Sequence, residues 1–264
     1  MSSDSSEKIE SSSINSIPVS KVELCGDNNQ YIIIGGKKYH REDLNRAFGG
    51  TFQVERYAPP PKHEFANPSP LGLAAFGITT LVLGLYYAGA KSITVPAVIT
   101  GMAAFFASSG LFLAGVWEMV LGNTFASTTF CSFGAFWWAF MTLSVPSFGI
   151  GAAYKGEEEQ LENAIGFFLL GWVIFIFILV LCTLKSTWVF FGTFFLLWIT
   201  FILLSAAEMS GKHGVHVAGG VVAVITALFS LYLCFAGIAN KGNSYIVPHA
   251  FPMPVPKKNR WLTV

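Results

Sequence analysis

The sequence predicts an all-α membrane protein, a six-transmembrane-helix bundle with a cytosolic N-terminal tail, and three observations carry that expectation. Six runs contain no Asp, Glu, Lys or Arg: 65–90, 92–117, 119–154, 163–184, 186–207 and 214–240. Each exceeds the about 20 apolar residues that a helix needs to cross a bilayer. Hydrophobic residues make up 53% of the chain and charged residues 12%, with a mean hydropathy of +0.57, which is too apolar for a soluble surface. Because lipid offers no partner to backbone N–H and C=O groups, runs of this length favour helices over barrel strands, which are shorter and alternate.

The tail, 1–62, differs in character. It is Ser-rich up to Ser16, and 1–20 reads as disordered. No apolar segment follows a basic start, so a cleaved signal peptide is not expected. A short ordered motif is expected over 26–51. In it the β-prone Tyr31-Ile32-Ile33-Ile34 and Gly35-Gly36 suggest a hairpin ending near Tyr39, followed by a short helix over 41–48. Pro59-Pro60-Pro61 stiffens the linker into the membrane domain.

Within the membrane domain, 63–240, breakers and polar residues place helices near 70–90, 94–118, 130–151, 163–184, 187–209 and 216–238. A C-terminal tail follows at 241–264. With the N-terminal tail inside, 13 Lys and Arg fall on the cytosolic side and 3 on the other (Lys91, Lys155, Lys212). The positive-inside rule therefore puts both termini in the cytosol and Glu157-Glu158-Glu159 outside. Small residues recur at helix-packing spacing, as in Gly84 with Ala88 and Gly110 with Ala114.

Several function classes find no support. A net charge of +1 gives no nucleic-acid footprint, and the four cysteines lie far apart without a CxxC spacing. His213 and His216 lack a third ligand, so neither a metal nor another cofactor is expected. No GxSxG, HExxH or Gly-rich phosphate loop occurs, and nothing suggests an enzyme.

Asn67-Pro68-Ser69-Pro70 carries the clearest local chemistry. Asn67 can cap a helix, prolines suit its first turn, and the following N–H groups lack internal acceptors. Such an end is either an ordinary cap at the membrane boundary or an anion site. A single Asn-Pro does not meet the aquaporin pattern, which needs two. Glu118 and Glu208 lie near expected helix ends, where carboxylates reach water. His216 reads as a helix-end contact.

The stretch Phe65-Ala66-Asn67-Pro68-Ser69-Pro70-Leu71-Gly72-Leu73 resembles the NPAPLGL signature of the acetate uptake transporter family. Matches continue at Ala114-Gly115-Val116-Trp117-Glu118, Gly122-Asn123-Thr124-Phe125, Ser132-Phe133-Gly134-Ala135-Phe136-Trp137, Leu170-Gly171-Trp172 and Thr183-Leu184-Lys185. The fungal branch, linked to acetate uptake and ammonia export, is also similar at Gly26-Asp27-Asn28-Asn29 and Ala47-Phe48-Gly49-Gly50-Thr51.

This resemblance implies a six-helix protomer that assembles as a hexamer in the plasma membrane, with a conduction path through each protomer. It implies a hydrophobic constriction at Phe76, Phe133 and Leu197, where the family commonly has Tyr in place of Phe133. Helical spacing puts Thr79 and Thr80 on the side of Phe76, and Thr193 and Thr200 on the side of Leu197. The expected substrate is acetate or another short monocarboxylate, coupled to a proton and guided by Asn67, Ser69, Thr79 and Asn123. Glu118 is a candidate pore-mouth or proton-linked residue. Ammonia or ammonium export and a non-conducting membrane sensor stand as alternatives. The chain departs from the family pattern at Tyr87, at Ala107-Ser108-Ser109 and at Phe112.

Overall fold

The computed structural model describes residues 22–48, 65–93, 95–249 and 251–254. The stretch expected to be disordered, 1–20, and the proline linker at 59–61 lie outside the described residues. Two compact units result, Met1–Phe65 and Ala66–Val264.

In the first unit, β1 (Glu23–Cys25), β2 (Tyr31–Ile34) and β3 (Lys37–His40) form an antiparallel sheet in the order β1-β2-β3, with Tyr31 opposite His40. Gly35 and Gly36 both take positive φ (56° and 76°), the backbone that a two-residue hairpin turn requires. The short helix α1 (Arg41–Phe48) follows, with Glu42 and Asp43 facing its positive N-terminal dipole. The strand β1 is not signalled in the sequence, because its three residues are too few to show alternation.

The second unit is a helical bundle. Its long helices are α2 (Ser69–Tyr87), a broken run of α3 (Ala97–Gly101) and α4 (Ser108–Val120), α5 (Thr124–Ser144), α7 (Glu158–Cys182), α8 (Trp188–Ser210) and α9 (His213–Ile238), with the single-turn α6 (Ile150–Ala153) after α5. Between α3 and α4, Met102–Ala107 winds as a π-helix. There the buried Ser108 hydroxyl donates to the Ala103 carbonyl at 2.5 Å, the same carbonyl that its backbone N–H reaches across the wide turn.

Five of these segments are long and apolar enough to span a bilayer: Ser69–Tyr87, Ala97–Val120, Glu158–Cys182, Trp188–Ser210 and His213–Ile238. The helix α5 has 21 residues and no charge, but Ser127, Thr128, Thr129 and Ser132 lower its hydropathy. It runs over 124–144 rather than the expected 130–151. Asn123 caps it by accepting from Ala126 N at 3.2 Å, and the extended Val145 before Pro146 ends it.

Backbones pack closely between α2 and α9, α8 and α9, α7 and α8, α4 and α5, and α2 and α4. Glycines permit this: a Cβ on Gly84 would sit 2.9 Å from Gly220 O. The circuit α7–α8–α9–α2–α4–α5 is closed between its two ends by rings. Phe136 stacks on Phe168 at 5.6 Å and meets Trp172 edge-on at 5.0 Å, while Phe133 lies 5.5 Å from Trp172. Aromatic pairs of this geometry contribute about 0.5–1.5 kcal/mol each beyond burial. Beyond α9 the chain returns to α8, where Trp188 N donates to Phe251 O and Met253 N to Ser186 O, both at 3.0 Å.

Candidate functional site

Phe76 of α2, Phe133 of α5 and Leu197 of α8 converge inside the bundle, all buried, with the two rings 6.1 Å apart. The three side chains line both of two separate cavities. The first, toward Glu208, holds about 50 Å³ for water-molecule centres and is also lined by Thr80, Tyr87, Phe136, Trp137 and Thr200. The second, toward Glu118, holds about 30 Å³ and is lined further by Leu111, Thr129, Phe130, Thr193 and Ser230. Both exceed the about 10–15 Å³ that one water requires. Phe76, Phe133 and Leu197 thus form the wall between them.

On each side of this collar stand polar groups that lack an internal partner. Thr80 and Trp137 line the first cavity and Thr129 the second, and Thr80 Oγ1, Trp137 Nε1 and Thr129 Oγ1 are buried without a hydrogen bond. A buried donor left unpaired costs about 1–3 kcal/mol, so such groups call for a ligand or a functional reason. Thr200 and Thr193 instead donate to their own helix, to Leu196 O at 2.9 Å and Val189 O at 2.8 Å. Thr79 is fully buried with an unpaired hydroxyl and lines neither cavity.

At one end of the bundle Glu118 is only 3% exposed. The Ser69 hydroxyl donates to its Oε1 and Asn123 Nδ2 to its Oε2 at 2.9 Å. One carboxylate therefore joins the start of α2, the end of α4 and the start of α5. Asn67 is exposed and touches this network through Ser69, whose N–H its Oδ1 accepts at 3.1 Å, while Pro68 occupies the cap position of α2. Of the four residues expected along a path, the structure brings Ser69 and Asn123 together through Glu118, and Asn67 adjoins them.

At the other end Glu208 lines both the first cavity and an open recess shared with Glu162, Lys212, His213 and His216. Its Oε1 lies 3.8 Å from His216 Nε2, and the His216 ring lies 4.2 Å from that of Tyr87. Tyr87 in turn lines the first cavity and a second recess with Ser92, Pro96 and His213. Sequence reasoning took Glu208 and His216 separately. The available signal was their position at facing ends of consecutive helices joined by a two-residue turn, Gly211 and Lys212. Trp137 and Thr129 were missed because their neighbours, Trp138 and Thr128, have the same chemistry and only the helix phase distinguishes them.

Among the described residues no group of three His, Cys, Asp or Glu could hold a metal ion. Fold and interior together define the class: a multi-pass helical membrane protein whose two internal cavities meet at an aromatic and aliphatic collar. The chain belongs to the GPR1/FUN34/yaaH family, whose model matches residues 48–255. It is 50% identical over 236 residues to Ammonia transport outward protein 2 of Saccharomyces cerevisiae, covering 89% of this chain and 83% of that protein. It is 40% identical over 224 residues to Acetate permease A of Emericella nidulans, covering 80% and 75%. Among solved structures it is similar to the bacterial acetate channel SatP, with a TM-score of 0.57 and 28% identity over 66% of this chain and 93% of that one.

Proposed function

We propose that the chain is a plasma-membrane channel or proton-coupled transporter for acetate and other short monocarboxylates, which pass the collar of Phe76, Phe133 and Leu197. In this reading α5 is the third of six membrane spans and both termini are cytosolic. The Glu118 end then faces the cytosol and the Glu208 end the exterior, and protomers assemble as a hexamer. The observation that carries the proposal is the pair of cavities meeting at one collar, with unpartnered donors on both sides. The Lys and Arg distribution, 13 against 3, supports the orientation.

The lining dictates the form in which a substrate crosses. Among the described residues no Lys or Arg lines either cavity, and a bare carboxylate in an apolar neck is very costly. A short carboxylic acid titrates near a Glu side chain, at about 4.3 to 5. An acidic exterior supplies the neutral acid, which Thr80 and Trp137 receive before the collar and Thr129 after it. A neutral cytosol ionises it again. Glu118, with Ser69 and Asn123, forms the cytosolic mouth.

A second reading, movement of ammonium, has its own support. The rings of Phe76, Tyr87, Phe133, Phe136, Trp137 and Phe140 surround the first cavity, and among the described residues Glu208 is the only carboxylate in the lining, a setting that attracts a small cation. Uptake of labelled acetate and of labelled methylammonium into proteoliposomes, each with and without an imposed pH gradient, separates the readings. Acetate uptake that follows an acidic exterior is the expected result. Acetate uptake indifferent to the gradient would defeat the coupling, methylammonium flux alone would select the second reading, and no flux of either would indicate a non-conducting sensor.

A further inference from the structure

We propose that Glu208, assisted by His216 and Tyr87, is a proton-exchange site that gives a small carboxylate its proton before the substrate enters the aromatic cavity. The inference rests on the reading of the chain as a carboxylic-acid channel or transporter, and it assigns the step at which the charge is removed. Glu208 lines the cavity beside the collar and also the open recess, so its carboxylate stands at the boundary between them. Its side chain is 23% exposed and that of His216 27%, enough for water to reach both.

The surroundings fit proton exchange better than structural pairing. The distance of 3.8 Å between Glu208 Oε1 and His216 Nε2 is longer than a hydrogen bond, so neither group is locked by the other. The Tyr87 ring at 4.2 Å holds the imidazole from the side of α2. Among the described residues the remaining ionisable groups facing this recess are Glu162 from α7, Lys212 from the turn before α9, and His213 from the first turn of α9.

The step balances. A substrate carboxylate in the recess accepts the proton of the Glu208 carboxylic acid, so the Glu208 O–H bond breaks and an O–H bond forms on the substrate. Negative charge moves to Glu208, facing His216 at 3.8 Å, and the neutral acid goes on to Thr80 and Trp137. A hydronium ion from the acidic exterior then protonates the His216 imidazole, which passes that proton to Glu208, so that both groups end as they began and water is released. Donor and acceptor are both carboxyl groups, so the transfer exchanges one O–H bond for another of the same kind.

The test uses full-length protein in proteoliposomes, with protein-free vesicles subtracted, and compares acetate with acetamide, a neutral molecule of the same shape. Glu208→Gln should lower acetate uptake by about tenfold or more at an external pH of about 6 while acetamide passes at the parent's rate. His216→Gln should lower acetate uptake less and move its pH profile toward lower pH. Equal losses for acetate and acetamide in both variants, or a parental acetate pH profile in both, would overturn the proton site. A parent protein that carries no acetate overturns the transport reading itself, whereas a conducting parent with indifferent variants overturns only this inference.

Discussion

Glu118 and Glu208 lie at opposite ends of the bundle, and the two carboxylates are held differently. Glu118 is 3% exposed and takes donors from two other elements, the Ser69 hydroxyl and the Asn123 amide. Glu208 is partly exposed, lies 3.8 Å from His216 and shares its recess with Glu162, Lys212 and His213. A carboxylate fixed by two neutral donors braces three helix ends. One with a loose, titratable neighbour and access to water is free to exchange protons. An acidic residue near the end of a membrane helix is thus defined by the number and kind of its partners rather than by its depth.

Substitution at the two carboxylates tests this contrast most severely. Glu118→Ala strands Ser69 and Asn123 and unties α2, α4 and α5, so thermal unfolding in detergent should register a loss of about 3 kcal/mol. Glu208→Ala should cost less than about 1 kcal/mol, since a loose exposed pair contributes little. Equal losses would erase the distinction between brace and exchanger.

Next in size is a pair of glycine substitutions, one toward each end. A Cβ on Gly115 would lie 2.5 Å from Cys131 Sγ, and one on Gly220 would lie 2.5 Å from Ala88 N and 2.7 Å from Tyr87 Cβ. Each change to Ala should destabilise by about 2 kcal/mol through overpacking. Gly220→Ala should also shift the pH profile of acetate uptake, because it displaces the residue that holds His216. Gly115→Ala should leave that profile in place; a shift there instead would break the assignment of ends.

Thr80→Val and Thr129→Val reverse the sign. Each removes a buried hydroxyl that has no partner, so stability should rise by about 1 kcal/mol while acetate flux falls. A gain in stability with undiminished flux would show that these hydroxyls do not receive substrate. The smallest effect is expected midway between the ends: Phe133→Tyr adds one donor to the collar. At about 0.7 kcal/mol for a neutral hydrogen bond, acetate flux should rise about threefold.

The sequence makes some of this arrangement visible for physical reasons. Uncharged runs bounded by Lys91, Lys155, Lys185 and Lys212 locate the helices, since a charge inside a span is costly. Phe76, Phe133 and Leu197 were reachable through family motifs; composition alone does not separate a collar from packing in a chain with 25 phenylalanines. The limits of α5 were not legible, because Asn123 acts as a cap only through its bond to Ala126 N, and Ser127 to Ser132 read as a polar break rather than a helical face. The meeting of Glu118 with Ser69 spans 49 residues, and that of Glu208 with His216 depends on the angle at which α8 turns into α9. Such pairings follow from tertiary packing and leave no periodic trace.

The π-helical turn at Met102–Ala107 carries a consequence for how this part of the chain tolerates change. One extra residue in a turn offsets the halves of a helix by about 100°. Ala103 and Ala107 face inward here while Phe105 is 77% exposed. A scan of bulky substitutions along 97–120 should therefore give two sensitive stripes, each with helical spacing, that slip past one another by a single position at the wide turn. Deleting one residue there would bring the stripes into phase, straighten the ladder, and rotate everything beyond it onto a different neighbour.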